Sequence, residues 1–179
     1  MDIRPYRGIL PTLGARAYVD LAASVIGDVV LGEDVSVWPF TVIRGDVNFV
    51  RIGDRTNIQD GTVVHVSHDG PHAKLGGFAT RIGADVTIGH KAVIHACTIE
   101  DAVLVGMGAI VLDGAVVRKH AFIGAGALVA PGKVVGEGEL WLGNPARKAR
   151  MLSDAEIDAL YYSARHYVRL KDEYLSAQS

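Results

Sequence analysis

Aliphatic residues recur at every sixth position along most of this chain. They run Leu31, Val37 and Ile43, then after a three-residue slip Ile52, Ile58 and Val64. The series returns at Ile82, Ile88 and Ile94, shortens by one to Ile99, and continues through Val105, Val111, Val117, Ile123 and Val129. Four positions after the aliphatic residue the chain prefers something small or β-branched: Val35, Thr41, Thr56, Thr62, Val86, Ala92, Thr98, Val103, Ala109, Ala115, Ala121 and Ala127. Glycine often follows the aliphatic position directly, as at Gly32, Gly53, Gly83, Gly89, Gly106 and Gly124. A six-residue period suits neither an amphipathic helix nor a simple hairpin sheet. It suits a triangular coil of three short strands, about eighteen residues per turn, stacked at the usual strand spacing of about 4.8 Å. In such a coil the aliphatic residue points inward, the small residue fits the corner, and glycine permits the turn.

The period stops near Gly143-Asn144-Pro145-Ala146, which reads as a turn leaving the coil. Ser153-Asp154-Ala155-Glu156 is then a capping box that opens a helix. Ile157, Leu160, Tyr161, Ala164, Val168, Lys171 and Leu175 fall near one face of it, apolar but for Lys171. The expected organisation is mainly β: a single domain over 1–179, with an N-terminal segment 1–19, a parallel β-helix over 20–146 and a C-terminal α-helix over 153–176.

Composition narrows the function. A formal net charge of −2 offers no basic footprint for nucleic acid. The single Cys97 excludes an intramolecular disulfide and a cysteine-based zinc finger, and reads as a small buried hydrophobe. No apolar stretch approaches the roughly 20 residues that cross a bilayer. Met1 to Val19 is broken by Pro5, Gly8, Pro11 and Gly14, so it lacks a signal-peptide core. The expectation is a cytoplasmic protein with no membrane partner.

Three of the seven histidines fall where the repeat makes them informative. His65 follows Val64 and His95 follows Ile94, so they hold the same slot of their hexads, thirty residues apart. Thirty is one coil plus twelve, and Val66–Thr80 breaks the repeat. If twelve residues loop out there, the two histidines stack on consecutive rungs, about 4.8 Å apart at the backbone. His90 lies one side of the triangle away from His95, up to roughly 16 Å. Nitrogen ligands of zinc lie only about 3–4 Å from one another. His90 therefore joins the pair only from a neighbouring subunit, and a triangular section lends itself to a homotrimer. Three neutral histidines with an open fourth position form the ligand set of catalytic zinc. Arg44 should sit one rung from His65, with Asp46 in reach of it, and Asp60 should stack beside His90 with Gln59 adjacent. An Arg44–Asp46 ion pair holding subunits together is an equally good reading of those two residues.

The repeat resembles the hexapeptide-repeat family of left-handed parallel β-helices over roughly residues 20–146; the hand comes from that resemblance. Arg44-Gly45-Asp46, Thr56-Asn57-Ile58-Gln59-Asp60-Gly61, His65, Gly89-His90-Lys91, His95-Ala96-Cys97 and Leu104-Val105-Gly106-Met107-Gly108 together look like the γ-class carbonic anhydrase family, especially its short bacterial members. Tyr162-Ser163-Ala164 and Tyr167-Val168 also match that branch. The resemblance implies reversible hydration of carbon dioxide to bicarbonate by a metal-bound hydroxide at a trimer interface. His65, His90 and His95 would bind zinc, or iron or cobalt. Arg44 and Asp46 would form an intersubunit salt bridge, with Arg44 also near bicarbonate. Gln59 would orient the hydroxide, Asn57 would help position carbon dioxide, and Asp60 would anchor Arg44. A tyrosine of the C-terminal helix would approach the site, Tyr162 in preference to Tyr161. Such enzymes are the standing example of a zinc-bound water with a pKa of about 7.

One departure concerns the proton. The family archetype carries a glutamate-bearing loop, whereas Ser67 to Phe78 here contains no glutamate. His68 is the candidate substitute, since an ordinary histidine titrates near pH 6.5. Two other functions share the fold: a hexapeptide-repeat acyltransferase or thioesterase, and a metal-binding trimer with little catalytic activity.

Overall fold

The computed structural model describes residues 2–71 and 74–177; Met1, Gln178 and Ser179 of the expected 1–179 domain lie outside the described residues. The strands stack into a parallel β-solenoid of triangular section. One face carries the first halves of Ser24–Leu31 and Val42–Ile52, then Val63–His65, Val93–His95, Ile110–Val111 and Leu128–Val129. The second carries the later halves of those two long strands, then Thr80–Ile82, Thr98–Ile99, Val116–Val117 and Val134–Val135. The third runs from Tyr18–Val19 through Ser36–Val37, Asn57–Ile58, Thr87–Ile88, Leu104–Val105 and Phe122–Ile123 to Glu139–Leu142.

Every inward aliphatic residue of the repeat is buried, and together they form one continuous core along the axis. The corner residues are buried with them. Where the corner residue is threonine, its hydroxyl is satisfied by a carbonyl of the next rung: Thr41 donates to Gln59 O at 2.9 Å, Thr56 to Gly83 O at 2.8 Å and Thr62 to Gly89 O at 3.1 Å. Thr98 is the exception, being only half-buried. The hexad before Ile99 is one residue short, so Cys97 takes the corner and Thr98 moves outward. Cys97 is buried as expected, and burial pushes its thiol up to about 12, which makes it inert.

Glycine serves a different purpose from the one the repeat suggests. The φ angles in the left-handed region fall on turn residues such as Asp34, Arg55, Asp85 and Lys91, not on Gly32, Gly53 or Gly83. Those glycines are needed for close approach. A Cβ on Gly53 would lie 2.6 Å from Gly83 C and from Ala84 N. A Cβ on Gly32 would lie 2.4 Å from Asp54 Oδ1, the oxygen that accepts from Glu33 N–H at 2.8 Å. The glycines let one rung's aspartate cap the next rung's amide.

The coil also starts earlier than residue 20. Asp2–Arg4 pairs with Ser24–Ile26, Thr12–Leu13 with Val30–Leu31, and Tyr18–Val19 with Ser36–Val37, so the expected N-terminal segment is itself a turn of the solenoid. Its prolines hid the period. At the other end, Arg147–Met151 folds back antiparallel on Glu139–Leu142.

The helix spans Asp154–Ala177. Its capping box forms as read: Ser153 N–H donates to Glu156 Oε2 at 2.8 Å, and Glu156 N–H reaches back to Ser153 Oγ at 3.4 Å. Leu160, Ala164 and Lys171 are its buried face, set against the third side of the triangle. Trp38 packs there against Tyr167 and Tyr174, with ring centroids 5.6 and 5.1 Å apart. Among the described residues no helix is long and apolar enough to cross a membrane.

Candidate metal centre

The three-residue slip between Ile43 and Ile52 is a bulge in the long strand Val42–Ile52, and it carries Asp46 out of register toward the turn above. Arg44 precedes the bulge. Register pairs Ile43 with Val64 and His65 with His95, which stacks Arg44, His65 and His95 on successive rungs of one face. The excursion between Val63–His65 and Thr80–Ile82 makes that stacking possible. It is pinned by Ser67 N–H to Phe78 O at 2.9 Å and by Asn48 Nδ2 to Gly76 O at 3.0 Å. His68 lies on it, exposed.

His65 Nδ1 and His95 Nε2 stand 3.3 Å apart. Their other nitrogens are committed: His65 Nε2 to Asp46 Oδ1 at 3.0 Å and His95 Nδ1 to Asp113 Oδ1 at 2.6 Å. An ionised carboxylate only accepts, so both outer nitrogens carry the protons. In neutral rings the facing nitrogens are then two lone pairs aimed at each other, which calls for a cation between them. Zinc–nitrogen bonds of about 2.0–2.1 Å at a tetrahedral angle separate two ligands by about 3.4 Å. The pair fits that spacing.

The electrostatics favour a neutral His65. Burial depresses the His65 pKa, aided by the Arg44 charge and by His95, and outweighs Asp46, which raises it. Burial pushes the Asp46 carboxyl up, but hydrogen bonds from His65, Arg44 and Val47 N–H hold it below the ordinary carboxylate range. Arg44 pairs directly with Asp46 within the chain.

His90 stands apart from the pair, and among the described residues no three His, Cys, Asp or Glu side chains of this one chain gather as a metal cluster. His90 Nδ1 is 2.8 Å from Asp60 Oδ2, one rung below, as the thirty-residue spacing required. All three histidines thus hold a carboxylate on one nitrogen, leaving the other for a ligand.

His90 lines a cleft of about 300 Å³ with Gln59, Ser163, Leu104, Met107 and Phe122. A buried polar chain sets the amides beside it. Asn57 Nδ2 donates to Val86 O at 3.3 Å and to Thr87 Oγ1 at 3.0 Å. A carbonyl can only accept, so Asn57 Oδ1 faces Gln59, whose Nε2 donates to it at 3.1 Å. Gln59 therefore has Oε1 left to accept. Thr87 Oγ1 continues to Ser163 Oγ on the helix, 2.9 Å away. Tyr162 is exposed, its ring stacked on His166 at 6.3 Å between centroids, while Tyr161 Oη lies 2.9 Å from His120 Nε2. Asp113 and Thr87 were not singled out from sequence, and Ser163 was given no role there.

No family profile matches the chain. The solenoid with its terminal helix defines a hexapeptide-repeat protein: it matches a solved hexapeptide transferase family protein from Anaplasma phagocytophilum with a TM-score of 0.88 and 43% identity, over 97% of this chain and 98% of that one. Among curated sequences, Protein YrdA of Escherichia coli K12 is 53% identical over 97% of this chain and 94% of its own length. The carbonic anhydrase of Geobacillus kaustophilus is 42% identical, covering 98% of this chain and 91% of that protein. Gamma carbonic anhydrase 2 of Arabidopsis thaliana mitochondria is 47% identical over 94% of this chain and 60% of its own. The chain belongs to the γ-class carbonic anhydrase family.

Proposed function

We propose that the protein is a metal-dependent carbonic anhydrase that interconverts carbon dioxide and bicarbonate in a homotrimer. His65 and His95 of one subunit and His90 of the next are the ligands, with zinc as the cation and iron or cobalt as substitutes. The observation that carries this reading is the pair of inner nitrogens 3.3 Å apart with both outer nitrogens already bonded to carboxylates. A divalent ion bound by three neutral imidazoles supplies a Lewis acid that acidifies bound water.

The chain's own residues do the rest. Asp46 and Asp60 hold the rings of His65 and His90 so that neither has to reorganise. Gln59, with its amide direction set by Asn57, presents Oε1 as an acceptor for a donor in the cleft. Leu104, Met107 and Phe122 make the cleft wall apolar, which suits carbon dioxide. Arg44, tethered by Asp46, offers a guanidinium to the bicarbonate anion. Tyr162, exposed on the helix, is free to meet an adjoining subunit. His68 remains our candidate for carrying the proton to buffer; His68→Ala should then lower buffer-dependent turnover, and unchanged turnover would remove it from that role.

Metal content and carbon dioxide hydration on protein purified without oxygen test the reading. Near one metal per chain, with hydration lost on chelation, supports it; no metal overturns it. Subunit sharing has its own test. His65→Ala and His90→Ala subunits are each inactive, but mixed in equal numbers they should recover about a quarter of the sites, because one interface in four joins two intact halves. No recovery after verified mixing argues for a site within one chain.

The match to a hexapeptide transferase family protein favours one alternative, acyl transfer with a histidine as general base. Acetyl-coenzyme A consumption that survives chelation would select it. Metal without hydration would leave a metal-binding trimer with little activity.

A further inference from the structure

We propose that Asp113 is a positioning residue for His95: its carboxylate holds the imidazole in the tautomer and orientation that turn Nε2 toward His65. The inference rests on the reading of His65 and His95 as ligands of one cation. Asp113 Oδ1 lies 2.6 Å from His95 Nδ1, so Nδ1 carries the proton and a neutral ring keeps its lone pair on Nε2.

The contact is built by the fold. Val111 pairs with Ile94 in the next turn. Continuing that register sets Asp113 opposite Ala96, and Gly114 N–H fixes it there by donating to Ala96 O at 2.8 Å. Gly114 has a φ of +68°, which turns the chain just after Asp113. Phe78, at the foot of the excursion after His65, packs against that turn: a Cβ on Gly114 would lie 3.0 Å from its ring. Asp113 and His95 are comparably covered, at 35% and 32% side-chain exposure, so neither is a freely solvated partner.

The arrangement is also reciprocal. Asp46 reaches His65 from the turn before the pair, and Asp113 reaches His95 from the turn after it. The two carboxylates pull the protons of both rings outward and leave the inner nitrogens facing. Without Asp113, His95 is free to place its proton on Nε2, where it would block a ligand position.

Asp113→Ala and Asp113→Asn test this in the full-length protein, read by zinc affinity against a chromophoric chelator and by the His95 tautomer from nitrogen-15 NMR of the metal-free protein. Asp113→Ala should weaken zinc binding roughly ten- to a hundredfold and shift His95 toward the Nε2–H tautomer, with circular dichroism unchanged. Asp113→Asn keeps an oxygen that accepts from Nδ1–H, so it should recover the tautomer and most of the affinity. A merely structural role for Asp113 would not produce that rescue. If Asp113→Ala does not fold, Asp113→Ser, too short to reach the ring, carries the same expectation. Unchanged affinity and tautomer in the folded variant overturn the proposal. Absence of zinc binding by the wild-type protein overturns the metal reading instead, and the tautomer still decides whether Asp113 orients His95.

Discussion

Lys171 of the C-terminal helix is fully buried, and its ammonium lies 2.8 Å from Asp34 Oδ1 on a turn of the solenoid. Arg16 closes on the same carboxylate from the first turn, 2.7 Å from Oδ1, and Asp172 also contacts Lys171. The one charged residue on the helix's apolar face is thus its electrostatic anchor. Removing one partner of a buried pair strands the other, at a cost of roughly 3–5 kcal/mol. Asp34→Leu should cost somewhat less than that by guanidinium denaturation, because Lys171 keeps Asp172. Lys171→Met should cost less, because Asp34 keeps Arg16, and the double variant should regain most of the loss.

The same contact predicts acid sensitivity. Burial of Asp34 favours its neutral form, but hydrogen bonds from Lys171 and Arg16 outweigh it and hold the pKa below the ordinary value of about 3.9. A depressed carboxylate stabilises the fold above its unfolded pKa, and that contribution is lost as pH falls through the folded one. Stability should therefore hold down to about pH 4 and then drop, and Asp34→Asn should flatten that limb of an acid titration followed by tryptophan fluorescence. An unchanged limb would detach the acid transition from this residue.

His65 gives a second pH dependence at a different window. Its folded pKa lies below the ordinary value near 6.5, so the unfolded chain takes a proton that the folded chain refuses. In the metal-free protein stability should be flat above about pH 6.5 and decline below it, down to the depressed folded value. His65→Gln should remove this slope while leaving the Asp34 transition in place.

Glycine substitutions separate close approach from backbone conformation. Gly53→Ala pushes a methyl into the Gly83 and Ala84 backbone and should lower stability by roughly 1–3 kcal/mol or more. Gly126, with φ of +67° and open space around it, should accept asparagine at a cost under about 1 kcal/mol. Melting temperatures of the two variants give the comparison directly.

Removing the metal provides the broadest check. On the proposed reading, a cation bound only by the folded protein would stabilise it by mass action, about 2.7 kcal/mol at a hundredfold excess over the dissociation constant. The melting temperature should rise with zinc concentration in the wild type and not in His95→Ala.

Much of this was legible in the sequence because the solenoid asks for one inward aliphatic residue in six, and a period that regular survives slips. The thirty-residue spacing of His65 and His95, and of Asp60 and His90, became a contact as soon as the excursion was subtracted. Lys171 stood out as the wrong residue on an apolar face. Asp113 was hidden because the coil from Ile94 to Val111 is one residue short, which shifts it into the column of Ala96 instead of His95. Thr87 and Ser163 were hidden because their contact joins the solenoid to the helix, and no repeat describes that docking. The first turn escaped for the opposite reason: it keeps the strand pairing without the residue pattern.

The antiparallel strand Arg147–Met151, five exposed residues laid along Glu139–Leu142, acts as a full stop. Nothing in the hexad limits how many turns a solenoid may add, and a bare last rung is a template for another chain's first. The number of turns, and with it the length of the solenoid, is set by a reversal of direction rather than by the repeat. A chain truncated before residue 147 should lose its defined size in light scattering and grow end to end.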